Sequence, residues 1–255
     1  MAPQPGSLRW LALEVAHLGR ARSFYEGHLE HSPTLSSDRE VAYRVGDGAL
    51  VLREPSSVPR GGVHVHYAIG TGAYEEWWDA LSAHFELEEH RFGDSRSLYL
   101  FDPDDHCVEL GERGEGRIDS IFEVVLEVED LDRSEAFYTA LGMRPIDRGT
   151  ERRRVRLDAG GVEIELWEPQ LGLADARGGL HVDLGFETSD PERLVEPVES
   201  EALAVENVSA EVLASTSEWR GSVGAGTDSV GASFDDNDPP AVRIRDPDGH
   251  YLTFY

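Results

Sequence analysis

A chain of 255 residues, 40% hydrophobic and 9% aromatic, carries enough apolar material for two compact domains. Its 50 Asp and Glu stand against 23 basic residues, every one an arginine, for a formal net charge of −27; that argues against nucleic acid as the main ligand, since phosphate binding needs basic patches. No apolar run approaches the length that spans a bilayer, and a single cysteine, Cys107, excludes disulfides within the chain. The acids are dispersed rather than gathered in a tail, which suits a strongly hydrated surface in high salt, where self-repulsion is screened. Salt-dependent stability, as in a halophilic cytoplasm, is the expectation. The opening Met1–Pro5 lacks a basic flank and an apolar stretch, so no leader is expected and a cytoplasmic location is the default.

In chain order, the first predicted strand is Leu8–Val15, followed by a helix carrying Ser23-Phe24-Tyr25. A second unit opens on Gly61-Gly62-Val63-His64-Val65-His66, runs into a helix from Glu75 to His84, and closes through the turn Asp102-Pro103-Asp104-Asp105 and a final strand. A third repeats the first: strand Ile121–Val128, then Asp130-Leu131 and a helix carrying Ala136-Phe137-Tyr138, with Gly142 placed as a helix C-cap. A fourth repeats the second: Gly178-Gly179-Leu180-His181-Val182-Asp183, a helix from Pro191 to Glu199, and the turn Asp246-Pro247-Asp248-Gly249. Asp then Pro is what a type I turn favours. The predicted fold class is therefore α+β, with four βαβββ modules at 7–55, 61–112, 118–169 and 178–255. Consecutive modules are expected to pair into domains 7–112 and 118–255. Gly111–Gly116 reads as the linker between them, and a Gly/Ser-rich stretch over about 205–240 as a loop insertion.

Strand alternation sorts the side chains. Leu11, Leu13 and Val15 pack inward and leave Trp10, Ala12 and Glu14; Val63, Val65 and Tyr67 leave His64 and His66. Val108 and Leu110 leave Cys107 and Glu109; Val124, Leu126 and Val128 leave Glu123, Val125 and Glu127. Val162, Ile164 and Leu166 leave Glu163, Glu165 and Trp167, while Val182, Leu184 and Phe186 leave His181 and Asp183. Each sheet thus has one apolar face and one seeded with His and Glu. Such ligands suit divalent iron, manganese, zinc or nickel, although a solvated sheet face is also polar. Cys107 reads as a strand filler, because a nucleophilic role needs a nearby base and a lowered thiol pKa.

The Phe-Tyr helix, the Gly-Gly-x-His strand and the Asp-Pro-Asp turn before the last strand together resemble the vicinal-oxygen-chelate superfamily of glyoxalases, bleomycin-resistance proteins and extradiol dioxygenases; Arg96–Leu110 is especially similar to its closing motif. The resemblance implies paired modules forming a cup. Metal ligands would come from the first and last strands of each module. It assigns Trp10, Val51, His64 and Glu109 to the four positions of the first domain, and Glu123, Glu165, His181 and Thr253 to those of the second. It implies a divalent metal held by His181, Glu165 and Glu123, or in the first cup by His64 and Glu109. Glu123 would be third ligand or catalytic base, and Glu127 and Asp183 outer partners of the imidazole. The extradiol triad would fall on Glu123, His181 and Thr253, of which only His181 fits. Trp10, His66, Trp167 and Tyr251, together with Tyr255, would line the ligand site. Two readings stay open: a metal-dependent lyase, isomerase or ring-cleaving dioxygenase acting on a small oxygenated metabolite, and a metal-free protein that binds or sequesters a small molecule. A homodimer is compatible with either.

Overall fold

The computed structural model describes residues 4–54, 65–150, 153–168, 182–208 and 241–255. The first module forms β1 (Leu8–Glu14), α1 (Leu18–Gly27), β2 (Pro33–Ser36), β3 (Glu40–Val45) and β4 (Gly48–Arg53). The second forms β5 (Val65–Thr71), α2 (Tyr74–Leu81), β6 (Glu88–Phe92), β7 (Ser95–Phe101) and β8 (Cys107–Glu112). The third forms β9 (Ile121–Glu127), α3 (Leu131–Ala140), β10 (Arg144–Arg148), β11 (Arg154–Ala159) and β12 (Val162–Trp167). The fourth forms β13 (Asp183–Phe186), α4 (Pro191–Val195) with a 3-10 turn over Glu196–Val198, β14 (Ala204–Val208), β15 (Ala241–Arg245) and β16 (Tyr251–Phe254). The expected insertion thus begins with a strand, since β14 pairs antiparallel with β15; the rest of it lies outside the described residues.

The modules do not pair as consecutive neighbours. One eight-stranded sheet has the order β14-β15-β16-β13-β1-β4-β3-β2 and joins the first module to the fourth. The other, β10-β11-β12-β9-β5-β8-β7-β6, joins the second to the third. Sheet pairing therefore crosses the expected boundary between 7–112 and 118–255. The physical reason lies in the segment read as a linker. Gly111 is still in β8, and the chain beyond it is pinned to the end of β5: Gly70 N–H donates to Ser120 and its carbonyl accepts from Asp119, Gly72 N–H donates to Gly116, Arg113 N–H donates to Thr71, and the Thr71 hydroxyl and the Trp77 indole both donate to the Arg117 carbonyl. A tether held this closely returns β9 antiparallel alongside β5.

The helices lie between the two sheets, and the alternation predicted for the described strands holds. Leu11, Leu13, Tyr67, Val108, Leu110, Val124, Leu126, Ile164, Leu166 and Leu184 are all fully buried in one continuous core. Consecutive modules are joined through this layer by a device that occurs twice. Tyr25 on α1 donates to Asp102 Oδ2 at 2.9 Å, while Asp102 Oδ1 accepts from the backbone N–H of Asp104 and His106, and His106 Nε2 donates to the Glu14 carbonyl. In the second half Tyr138 on α3 donates to Asp246 Oδ2 at 2.7 Å, Asp246 Oδ1 accepts from Asp248 and His250 N–H, and His250 Nε2 donates to the Glu127 carbonyl. The two most recognisable sequence motifs, Phe-Tyr and Asp-Pro-Asp, are thus the two ends of one lock. Each helix also receives a carboxylate at its first N–H, from Glu54 for α1 and Glu168 for α3, which meets an otherwise unpaired helix donor. Gly142 terminates α3 as predicted, at φ 86°, with Gly142 N–H donating to Thr139 and Met143 N–H to Tyr138.

Candidate active site in the cup of one sheet

Register defines which positions of the four modules correspond. In the third module Glu165 stands beside Val125, two residues after Glu123; in the second, Glu109 stands beside Ala68, two residues after His66. In the first module Val51 stands beside Ala12, two after Trp10; in the fourth, Thr253 stands beside Gly185, two after Asp183. His66 and Asp183 therefore occupy the positions that the sequence reading gave to His64 and His181, a shift of two residues along each strand. His64 and His181 themselves lie outside the described residues.

The sheet pairing then sorts these eight positions. The cup of the second and third modules receives His66, Glu109, Glu123 and Glu165; the cup of the first and fourth receives Trp10, Val51, Asp183 and Thr253. The extradiol-type triad cannot assemble, because Glu123 and Thr253 belong to different sheets. Nor can Asp183 support a ligand beside Glu123. The proposed binding residues divide as well: His66 and Trp167 line the first of these cups, while Trp10, Tyr251 and Tyr255 belong to the other sheet or its end.

The His/Glu cup encloses a cavity of about 1000 Å³ lined from β6 on one side to β11 and β12 on the other. His66 Nε2 donates to Glu109 Oε2 at 2.8 Å, and the His66 ring meets Tyr99 edge-on at 5.1 Å. Burial works to raise the Glu109 pKa, but hydrogen bonds from His66, Ser97 and Tyr99 hold it below the usual carboxylate value. Glu123 is the opposite case. Burial first, then the charges of Glu109 and Glu165, push its pKa up to about 7, against the pull of His66 and Arg156. Glu165 is also raised by burial, although Arg154 donates to it at 3.0 Å. Arg156 donates to Glu163 and stands 3.8 Å from Glu123. Cys107 lines the same cavity, but burial, aided by Glu109 and Glu88, drives its thiol up to about 12, so it is no nucleophile and remains the filler expected of it.

Arg154 and Arg156 alternate with the core residues Val155 and Leu157, so the same periodicity that found Glu163 and Glu165 could have placed them in the cup. Phe122 gave no such signal. A β-bulge in β9, where Glu123 pairs with Ala68 but Ile121 with Ile69, inserts it out of alternation and turns it into the cavity.

The other cup is filled by its own side chains. Trp10, Ala12, Ala42, Ala49 and Val51 form a buried cluster, and Trp10 stacks on Tyr255 at 5.1 Å. Gly185 is obligatory there, because a Cβ would fall inside the Trp10 indole. Asp183 pairs with Arg243 at 3.1 Å and accepts from the Thr253 hydroxyl at 2.9 Å.

The donor chemistry of His66, Glu109, Glu123 and Glu165 fits a divalent cation: one imidazole and three carboxylates share a cup in which burial first, and then the neighbouring acids, raise the pKa of Glu123. In the rotamers of this structure, no three such groups among the described residues stand close enough to share an ion, because Glu109 is occupied by His66 and Glu165 by Arg154.

No family model matches the chain. The metallothiol transferase FosB of Staphylococcus saprophyticus is 26% identical over 113 residues, which cover 41% of this chain and 75% of that protein. Among solved structures, glyoxalase I from Zea mays superposes with a TM-score of 0.64 at 17% identity, covering 97% of this chain and 92% of its own. A Bacillus subtilis protein provisionally described as a dioxygenase gives 0.63 at 16% identity, covering 99% and 86%. These structures share the fold of two paired-module sheets. No described helix is long and apolar enough to cross a membrane.

Proposed function

We propose that the chain is a member of the vicinal-oxygen-chelate superfamily and a divalent-metal-dependent enzyme acting on a small oxygenated metabolite in the His/Glu cup. The observation that carries this reading is the segregation of ligand types: the four corresponding positions of one cup hold His66, Glu109, Glu123 and Glu165, and those of the other hold Trp10, Val51, Asp183 and Thr253. A cup kept for packing has no need of four ionisable side chains on its floor, three of them carboxylates that repel one another.

His66, Glu109 and Glu165 would hold the cation, which when bound would polarise oxygens placed against it. The remaining work belongs to the chain. Glu109, gripped by Ser97 and Tyr99, orients the His66 ring. Glu123, buried beside Glu109 and Glu165 with its pKa pushed upward, is the carboxylate left to take a proton from a substrate carbon or oxygen and return it. Arg154 and Arg156 limit how much negative charge the floor exposes. The reaction type, whether lyase, isomerase or ring-cleaving dioxygenase, follows from the substrate that fits.

The test is elemental analysis of protein purified without a metal-affinity tag and offered iron, manganese, zinc and nickel, with His66→Ala, His64→Ala and His181→Ala in parallel. Stoichiometric metal that disappears in His66→Ala and survives in His181→Ala supports the reading. A wild type that takes up none of the four metals overturns it and leaves a metal-free binder, consistent with the carboxylates already engaged by His66 and the arginines.

A further inference from the structure

The cavity holds a feature that the metal-centred reading does not use, at the bulge beside Glu123. Because β9 carries one extra residue opposite Ala68 and Ile69, Phe122 and Glu123 both face the cup. The Phe122 ring lies over Gly111 of β8, where a Cβ would meet it at 2.8 Å; any larger residue at 111 would push the ring away. Arg113, two residues further on, places its guanidinium 5.0 Å from the centre of that ring and also lines the cavity.

Arg113 differs from the other three arginines of the cavity. Arg96 is held by Glu112 and Glu75, Arg154 by Glu165 and Asp147, and Arg156 by Glu163 with Glu123 nearby. Among the described residues Arg113 has no carboxylate partner, and its ring contact leaves all five N–H donors of the guanidinium unspent. Of the four guanidiniums that line the cavity, it alone lacks a carboxylate among the described residues. This one faces a cavity and is steadied on an aromatic face, the arrangement that fixes a planar fork for bidentate contact with a carboxylate. The wall beyond is aromatic too: Phe92, 58% exposed, and the Tyr99 and Trp167 rings border the same cavity.

We propose that Arg113 and Phe122 form the substrate-anchoring subsite of this cup, selecting a planar organic anion whose carboxylate is gripped by Arg113 and whose flat body lies on Phe122. The proposal rests on the catalytic reading of the same cup and names its substrate class. Arg113 touches the anion and not the reacting atoms; the bulge sets the anchor beside Glu123, so the anion's far end points toward the carboxylates of the floor.

The probes are benzoate, its neutral analogue benzamide, and acetate, titrated into the full chain by calorimetry at the lowest ionic strength at which it stays folded. Benzoate is expected to bind about five- to tenfold more tightly than either benzamide or acetate, the size of one charge-assisted contact and one ring face. Arg113→Ala, an exposed position whose loss leaves the core intact, should bring benzoate down to the benzamide level, with Arg113→Lys retaining only part of the preference. Phe122→Leu should bring benzoate toward acetate. Metal content is measured on the same samples and should be unchanged in all three variants, so failure of the anchor and failure of the metal reading are read separately. Equal binding of benzoate and benzamide, no binding of benzoate, or an undiminished affinity in Arg113→Ala each overturns the proposal.

Discussion

The two cups are built from the same module with the same register, and they have gone opposite ways. Each sheet brings together two first strands and two last strands, and the four inward positions correspond residue for residue. In one cup an indole fills the space, a glycine makes room for it, and the acid at the corresponding position, Asp183, is paired with Arg243 and Thr253. In the other, His66 and three glutamates surround a cavity of about 1000 Å³, and one of those glutamates is held near neutrality. The difference teaches that a repeat keeps its scaffold cheaply but keeps buried charge only where something offsets it, since an unpaired ion in a dry site is costly.

The largest expected effect tests whether that division is functional. Glu109→Ala removes a carboxylate and frees His66, and should abolish stoichiometric metal uptake. Thr253→Ala, at the corresponding position of the other cup, should leave it unchanged. Elemental analysis of the two variants side by side decides it. Equal metal content in both would erase the distinction between the cups.

Next in size is Trp10→Ala. Emptying the packed cup of a buried indole should cost about 3–5 kcal/mol in denaturant unfolding, as for other large aromatic truncations. The same variant should retain the metal of the opposite cup. A loss below about 1 kcal/mol would mean that Trp10 covers a binding space rather than filling a core.

A third comparison sets the ends of α1 and α3 against each other. Glu30, in the left-handed region at φ 56°, leads into His31, whereas Gly142 leads into Met143, and the two following side chains are both buried. His31 packs against both Tyr25 and Tyr43, whose rings also meet each other; among the described residues its Nε2 has no hydrogen-bond partner, and burial lowers its pKa from 6.5 to about 4. Between those two values the unfolded chain binds a proton that the folded chain refuses. Stability from this group is therefore intact above about pH 6.5 and falls as the pH drops toward 4, by on the order of 3 kcal/mol at most. His31→Met, the residue the second half uses, should flatten that slope in urea titrations run across the window. An unchanged slope would assign the acid sensitivity to other groups.

The fold was legible in the sequence because its marks are local. Alternation in Leu11–Val15 or Val124–Val128 and the Asp-Pro turns are written within a few residues. The site was half legible for the same reason. Glu109, Glu123 and Glu165 could be placed on inward faces one strand at a time, yet they were divided between two cups, because which module pairs with which depends on how the chain beyond Gly111 is held against Gly70 and Gly72. A His-x-His strand offers two candidates on one face; the pairing of Glu109 with Ala68 sets His66 in the cup, and His64 lies outside the described residues. Phe122 was lost to a bulge, which breaks the alternation that strand reading relies on.

The smallest expected effect distinguishes the two locks that hold consecutive modules together. Tyr138 donates to Asp246, and among the described residues its hydroxyl serves only that lock. Tyr25 donates to Asp102 and also accepts from Tyr67 at 3.0 Å, whereas the fourth module has Leu184 where the second has Tyr67. Either Tyr→Phe change leaves a buried aspartate oxygen short of a donor, a loss of about 1–3 kcal/mol. Tyr25→Phe also strands the buried Tyr67 hydroxyl, so it should be the more damaging by about 1 kcal/mol in parallel urea titrations. The double variant Tyr25→Phe/Tyr67→Phe should recover that extra cost, because removing both partners of a buried hydrogen bond leaves nothing unsatisfied between them. If the two single variants are equally destabilised, the Tyr67 contact carries no weight and the locks are equivalent despite their different neighbours.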